Sequence, residues 1–218
     1  MEKELEYVRL LNEAMLVGIQ KNLFVIEGGV ALLEDEKAEE SRSHIFEIIS
    51  EASRKISLDV QIWKEYESIG ETFWQDIGNT ITRAKCSFPK RIEVKVDVIP
   101  GKVNANNLFP FVLENLIENT IKHSGKEFPK VSISSQVEGD YILLVYEDDG
   151  IGIDFSKKEE IFKQYYGKNT FFGLFFAREI IKMMDGTIKE VGIPGQCARF
   201  EIRIPLQHFR FCNKGAVL

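Results

Sequence analysis

Residues 107–125 read NLFPFVLENLIENTIKHSG, and the fold turns on how they are read. At helical spacing Asn115, Asn119 and Lys122 stand at i, i+4 and i+7, so they share one face, with His123 at its edge. Leu113, Leu116, Ile117 and Ile121 occupy much of the remaining surface, which suits burial against a sheet. Two carboxamides beside two potential cations make an odd face for a core helix. They make a sensible face for a magnesium–phosphate group. An Asn oxygen is a hard neutral ligand for a cation that keeps several waters and binds partly through substrate phosphates. Lys122 then neutralises phosphate charge as a compact ammonium. The plain alternative is a helix with a solvated polar face.

Downstream, the apolar run Tyr141–Tyr146 ends in Asp148-Asp149-Gly150-Ile151-Gly152-Ile153, a strand running into an acidic turn punctuated by glycine. A buried Asp148 can accept a hydrogen bond from an adenine amino group. Gly150 and Gly152 let the backbone approach a base or ribose closely. A polar, basic segment comes next. Gly173-Leu174 then opens an apolar helix running to Met184, and Asp185-Gly186-Thr187-Ile188 comes after it. A helix N-terminus after a loop is a natural phosphate site.

In that order and spacing, NLIENTIKHSG, DDGIGID, IFKQYYGKNTFFGLF and MDGTI resemble the nucleotide-binding boxes of the histidine-kinase-type ATPase domain, the fold shared by sensor histidine kinases, gyrase and Hsp90. The resemblance covers about Gly70–Leu206. It implies ATP and Mg2+ as cofactors, with Asn119 holding magnesium and Asn115 beside it. By the same token, Lys122 and His123 meet phosphate and Asp148 takes the adenine amino group. Gly150 and Gly152 line the base, Gly173 and Leu174 cap the phosphates, and Lys168 reaches the terminal phosphate from a lid over about Phe155–Phe172.

An apolar fraction of 44% is enough for a sizeable core in a chain of 218 residues. A net charge of −6 without a basic block argues against nucleic acid as a partner. Cys86, Cys197 and Cys212 are odd in number and far apart, which fits neither a metal site nor a disulfide framework and points to a reducing, cytoplasmic setting. No unbroken apolar run of about 18 residues is present, so no membrane span is expected.

Residues 3–36 read as one long helix. Val8, Leu11, Met15, Ile19, Leu23, Ile26, Val30 and Leu33 form its apolar stripe, locally weakened by Gly18, Gly28 and Gly29. After an acidic break, a second helix runs from about Ser41 to Tyr66 with Ile45, Ile48, Ala52, Ile56, Val60 and Trp63 as its stripe. Such a hairpin cannot bury both stripes alone, and pairing two hairpins into a four-helix bundle solves this, so a homodimer is expected. It resembles the dimerisation and phosphoacceptor hairpin of histidine kinases. The expected domains are 1–68, a helical dimerisation hairpin; 70–206, the ATPase domain; and 207–218, a tail of no clear pattern. Within the second, Thr72–Lys85 reads as an amphipathic helix and Ile92–Val98 as a half-buried strand. Pro100-Gly101 turns the chain into the Asn-rich helix, and two hairpins lie beyond it, Val131–Tyr146 and Thr187–Ile204. The fold class is α+β: a long helical hairpin followed by a two-layer α/β sandwich with a mixed sheet.

The sequence also departs from the family it resembles. Val17 stands where the first helix should carry the phosphoacceptor His, and valine has no nucleophile, so autophosphorylation in cis is not expected there. His44 is roughly 20 or more residues along the hairpin from that level, too far at about 1.5 Å rise per residue for the same docking pose. Phe171-Phe172-Gly173 keeps one glycine of a pair, and Gly195-Gln196-Cys197-Ala198 lacks a Gly and a Thr. The position that holds a water-activating Glu in ATP-hydrolysing relatives is Asn115. Three readings stay open: a signalling partner for a response regulator or another kinase, an active kinase acting on a partner's His, and a non-catalytic dimerisation scaffold.

Overall fold

The computed structural model describes residues 2–34, 41–67, 72–88, 92–163 and 173–212. The chain divides into two compact units, Met1–Ile69 and Gly70–Leu218.

The first unit is a pair of helices, α1 (Glu2–Glu34) and α2 (Arg42–Glu67). Gly29 is buried, and a Cβ there would meet Ile49 Cγ1 at 2.7 Å, so this glycine allows α2 to approach closely. Ile45 and Ala52 of α2 are buried in the same seam. Among the described residues, Leu23, Phe24, Val30 and Leu32 on α1, and Phe46 and Ile48 on α2, are exposed, while Ile19, Ile26, Leu33, Ile49 and Ile56 are half-buried. The side chains of Val8, Leu11, Met15 and Trp63, and most of the acidic break, lie outside the described residues. Leu16–Glu34 is long and apolar enough, by length and composition, to cross a membrane, with a mean hydropathy of 1.4. It reaches that value although polar residues interrupt it, which a search for an unbroken apolar run overlooks. A helix that pairs with other helices has the same length and composition.

The second unit is built on a five-stranded sheet of order β2-β4-β5-β7-β6. Its strands are β2 (Glu93–Asp97), β4 (Lys130–Glu138), β5 (Tyr141–Asp148), β6 (Thr187–Glu190) and β7 (Arg199–Pro205). The β2–β4 pair is parallel and the others antiparallel, which makes the sheet mixed. Alternation along β7 buries Phe200, Ile202 and Ile204 and turns Arg199, Glu201 and Arg203 outward. The buried side is covered by α4 (Phe109–His123) and α5 (Gly173–Lys182), whose fully buried residues include Leu113, Leu116, Ile117, Ala177 and Ile181. On the outward side Arg203 bonds Glu138 at 3.0 Å, Arg199 bonds Glu147 at 2.9 Å, and both arginines reach Glu201.

Three local expectations are corrected. Thr72–Lys85 is not one helix: Phe73–Asp76 is strand β1, and α3 (Ile77–Cys86) starts after it. Asp76 ends the strand by capping α3, its Oδ1 accepting from the Asn79 N–H at 2.8 Å. Pro100-Gly101 does not lead straight into the Asn-rich helix, because strand β3 (Gly101–Ala105) intervenes. Nor is the tail patternless. After a 3-10 turn at Leu206–His208, strand β8 (Phe209–Phe211) pairs with β3, completing a separate sheet β1-β3-β8. Gly101 makes this possible, since a Cβ there would lie 2.3 Å from the Phe209 ring. Arg210 then stacks on Trp74, 3.9 Å from the ring.

Candidate nucleotide site

A cavity of about 650 Å³ opens between the C-terminal half of α4, the end of β5 with the loop after it, the start of α5, and the β6–β7 loop. Asn119, His123, Asp148, Gly152, Gly173 and Leu174 line it, six of the residues expected from sequence. Three others sit elsewhere. Asn115 lies behind the wall, 6% exposed, its Oδ1 accepting from Asn119 Nδ2 at 3.0 Å. That bond commits the Asn119 nitrogen and leaves its amide oxygen as the end that suits a hard cation. Gly150 packs against Ser124 and gives its N–H to Asp148 Oδ1 at 2.9 Å, so it supports the carboxylate from outside the cavity lining. Lys122 is absent from the wall, and its Nζ lies 2.6 Å from Glu118 Oε1. Lys168, with Tyr165, Tyr166, Phe171 and Phe172 of the lid, lies outside the described residues.

Asp148 is the best-anchored group in the cavity. It is 7% exposed, and three donors hold it. Gly150 N and Ala198 N each donate to Oδ1 at 2.9 Å, and Thr120 Oγ1 donates to Oδ2 at 2.7 Å. The neighbouring Asp149 turns away to pin the start of β4, accepting from Lys130 N at 2.8 Å and Lys126 Nζ at 2.7 Å. Gly152 has φ +67°, and a Cβ there would sit 2.5 Å from the Ile193 carbonyl oxygen, so glycine is required for both reasons. Gly173 is constrained by space alone: a Cβ would fall 1.9 Å from Asn115 Nδ2. Partial burial, then the neighbouring Lys122 charge, lowers the His123 pKa, so its neutral form is favoured and it is a hydrogen-bonding group more than a cation.

Sequence reasoning missed Thr120, Ser124, Lys157 and the apolar wall of Ile153, Ile161 and Phe200. Lys157 stands five residues after Gly152 in the basic segment, a signal available in the sequence. Thr120 needs the partner strand to be known, because its hydroxyl matters only through β5.

The residues present fit an adenine nucleotide. The volume suits a nucleoside with phosphates, one end is apolar, and a buried carboxylate faces the space. Among the described residues no cluster of three His, Cys, Asp or Glu is placed to hold a metal. Magnesium would therefore rest on Asn119 together with phosphate oxygens and water. Glu118 is engaged with Lys122, and Glu114, whose pKa burial raises, bonds Ser87 Oγ at 3.2 Å.

Residues 106–208 match the family model described as Histidine kinase-, DNA gyrase B-, and HSP90-like ATPase. The chain is 35% identical over 100 residues to the alginate biosynthesis sensor protein KinB of Pseudomonas aeruginosa, an alignment covering 44% of this chain and 17% of that protein. The chain thus spans about a sixth of that relative's length. Among solved structures it is similar to the Acinetobacter baumannii histidine kinase AdeS, with TM-score 0.62 and 22% identity over 85% of this chain and 95% of that one. It is also similar to the mycobacterial sensor histidine kinase MprB, with TM-score 0.57 and 19% identity over 65% of this chain and 100% of that one.

Proposed function

For a chain that carries, in residues 106–208, an ATPase domain of the histidine kinase-, DNA gyrase B- and HSP90-like family, we propose a histidine-kinase-like signalling protein that binds Mg-ATP. The single observation behind this reading is the anchored Asp148 carboxylate facing a cavity that also presents Asn119, His123 and the Gly173 end of α5. Asp148 would receive the adenine amino group, and Ile153, Ile161 and Phe200 would enclose the base. Asn119 would hold magnesium, which supplies charge neutralisation at the phosphates when bound. His123 and Lys157 would meet phosphate oxygens, and Leu174 would close the side of the cavity.

The helical unit would be the dimerisation domain, its exposed Leu23, Phe24, Val30 and Leu32 covered by a second copy in a four-helix bundle. Sedimentation of the full chain as a monomer at micromolar concentration would remove that part. The hairpin offers no acceptor at Val17, which is 43% exposed. His44 is an exposed helix residue with its Nδ1 3.9 Å from Glu47. The chain would then act on, or through, a response regulator or another kinase, in the cytoplasm. A second reading, phosphorylation of a His on a partner, calls on the same Asn119, which Asn115 holds through its amide nitrogen. Incubation with labelled Mg-ATP, alone and with a candidate partner, tests both. We expect no acid-labile phosphate on the chain itself, and any phosphate on a partner to be lost in Asn119→Ala. Acid-labile phosphate on the chain alone contradicts the proposal.

A further inference from the structure

The segment after β5 carries the charge run Lys157-Lys158-Glu159-Glu160, whose first three side chains go to different places. Lys157 lines the cavity. Lys158 crosses to the β6–β7 loop, where its Nζ bonds the Glu190 carboxylate and donates to the Gly192 carbonyl oxygen at 2.6 Å. Glu159 meets Arg178 of α5 at 3.0 Å. The Glu159 side chain is 73% exposed, and a pair so open to water contributes little. The Lys158–Glu190 pair is buried, with side-chain exposures of 15% and 0%. Packing alone does not call for a carboxylate there. Alternation along β6 turns Glu190 inward with Ile188, opposite Phe200 of β7. Apolar side chains of similar volume would fill such a place at no less stability, since a buried ion pair is desolvated on both sides.

What the carboxylate supplies is connection. Its Oε1 accepts from Gly192 N at 2.8 Å and from Arg199 N at 3.1 Å, and its Oε2 accepts from Lys158. The first two bonds fix both ends of the loop that brings Pro194 and Ala198 to the cavity. The third fastens that loop to the segment that brings Ile153, Lys157 and Ile161. A backbone bond from Gly195 N to the Ile151 carbonyl oxygen, at 2.6 Å, joins the same two walls, but it holds the loop by its middle. We propose that Lys158 and Glu190 are positioning residues that clasp the two walls at the base end of the cavity and so set its fit to a nucleoside. The inference rests on the adenine-nucleotide reading of the cavity and adds two residues that do not line it. Asn119, the group proposed to hold magnesium, stands on α4, outside the clasp.

The test measures the dissociation constant of ADP, with and without magnesium, for the full chain and its variants, well below their melting temperatures. Glu190→Gln keeps an oxygen for Gly192 and Arg199 but gives Lys158 no charge to hold. Lys158→Met/Glu190→Gln removes the ammonium as well and leaves no unpaired charge. Both variants open the same clasp, so both should weaken ADP by the same factor, about tenfold, although they differ in charge. The factor should be equal with and without magnesium, because the metal end is untouched. A merely structural pair would lower the melting temperature and leave the affinity of the folded protein as it was. Unchanged affinity in the folded variants, or a loss confined to the magnesium-bound nucleotide, overturns the inference while the nucleotide site stands. Failure of the wild type to bind ADP overturns both. If neither variant folds, Lys158→Arg, which keeps the charge, should bind ADP more tightly than Lys158→Gln, which does not; equal affinities overturn the inference.

Discussion

At the scale of single residues the cavity is a set of hydrogen-bonding commitments. Asp148 has three donors, Asn119 gives its nitrogen to Asn115, and Lys122 lies on Glu118. His123 is the titratable group whose state a nucleotide should change. Burial favours its neutral form, so the stability it contributes is complete above the ordinary histidine pKa of about 6.5 and is lost as the pH falls below it. A phosphate beside the ring favours the imidazolium, so nucleotide binding should draw in protons near pH 6.5. Calorimetry in buffers of different ionisation heat should show fractional uptake for the wild type and none for His123→Gln. Equal heats in all buffers for the wild type would remove His123 from the phosphate contacts. Residue identity made Asn119, His123 and Asp148 readable in advance, because carboxamide, imidazole and buried carboxylate carry their chemistry with them. It did not reveal that Lys122 is engaged along its own helix. A helical wheel places Glu118 one turn away from Lys122 but does not decide between a phosphate and a carboxylate as its partner.

At the scale of elements the critical contact is that between α4 and the first residue of α5. Gly173 sits against Asn115, and a Cβ there would lie 1.9 Å from its amide nitrogen. Gly173→Ala should push Asn115 aside, break its bond to Asn119 and lower Mg-ADP affinity about tenfold or more, equivalent to about 1.4 kcal/mol. The free protein should also melt a few degrees lower, because a buried side chain is displaced. Undiminished affinity would show that Asn115 does not hold Asn119 in place. A second tie joins the walls: Lys158 bonds the buried Glu190 and donates to the Gly192 carbonyl oxygen at 2.6 Å, linking the segment after β5 to the β6–β7 loop. The strands of the large sheet were legible because alternation is visible within each one, as in Val131–Val137 or Phe200–Ile204. Strands β1, β3 and β8 were not. Each has three to five residues, and their pairing joins segments about 30 and 100 residues apart. Phe73 and Trp74 fit a helix as well as a strand until Asp76 is seen to cap α3.

At the scale of the whole molecule a domain similar to the histidine kinase-, DNA gyrase B- and HSP90-like ATPases comes after a helical hairpin that exposes several large apolar residues. The hairpin's two helices were legible from helical periodicity, though of their expected stripes Ile45 and Ala52 are buried while Leu23, Val30 and Ile48 are exposed. Its close approach at Gly29 was not, since the glycine reads only as a local weakness until Ile45 and Ile49 are placed against it. The uncovered Leu23, Phe24 and Val30 supply a reason to pair, and exposed Val17 supplies none to accept phosphate. Every functional statement about the chain depends on the cavity holding Mg-ATP. The most direct measurement is a calorimetric titration of the full chain with ATP in the presence and absence of magnesium. Saturable binding with one site per chain, weakened without magnesium, is the expected result. Ligand at 100 times its dissociation constant should also stabilise the protein by about 2.7 kcal/mol. No heat of binding, together with an unmoved melting temperature at millimolar Mg-ATP, would contradict it.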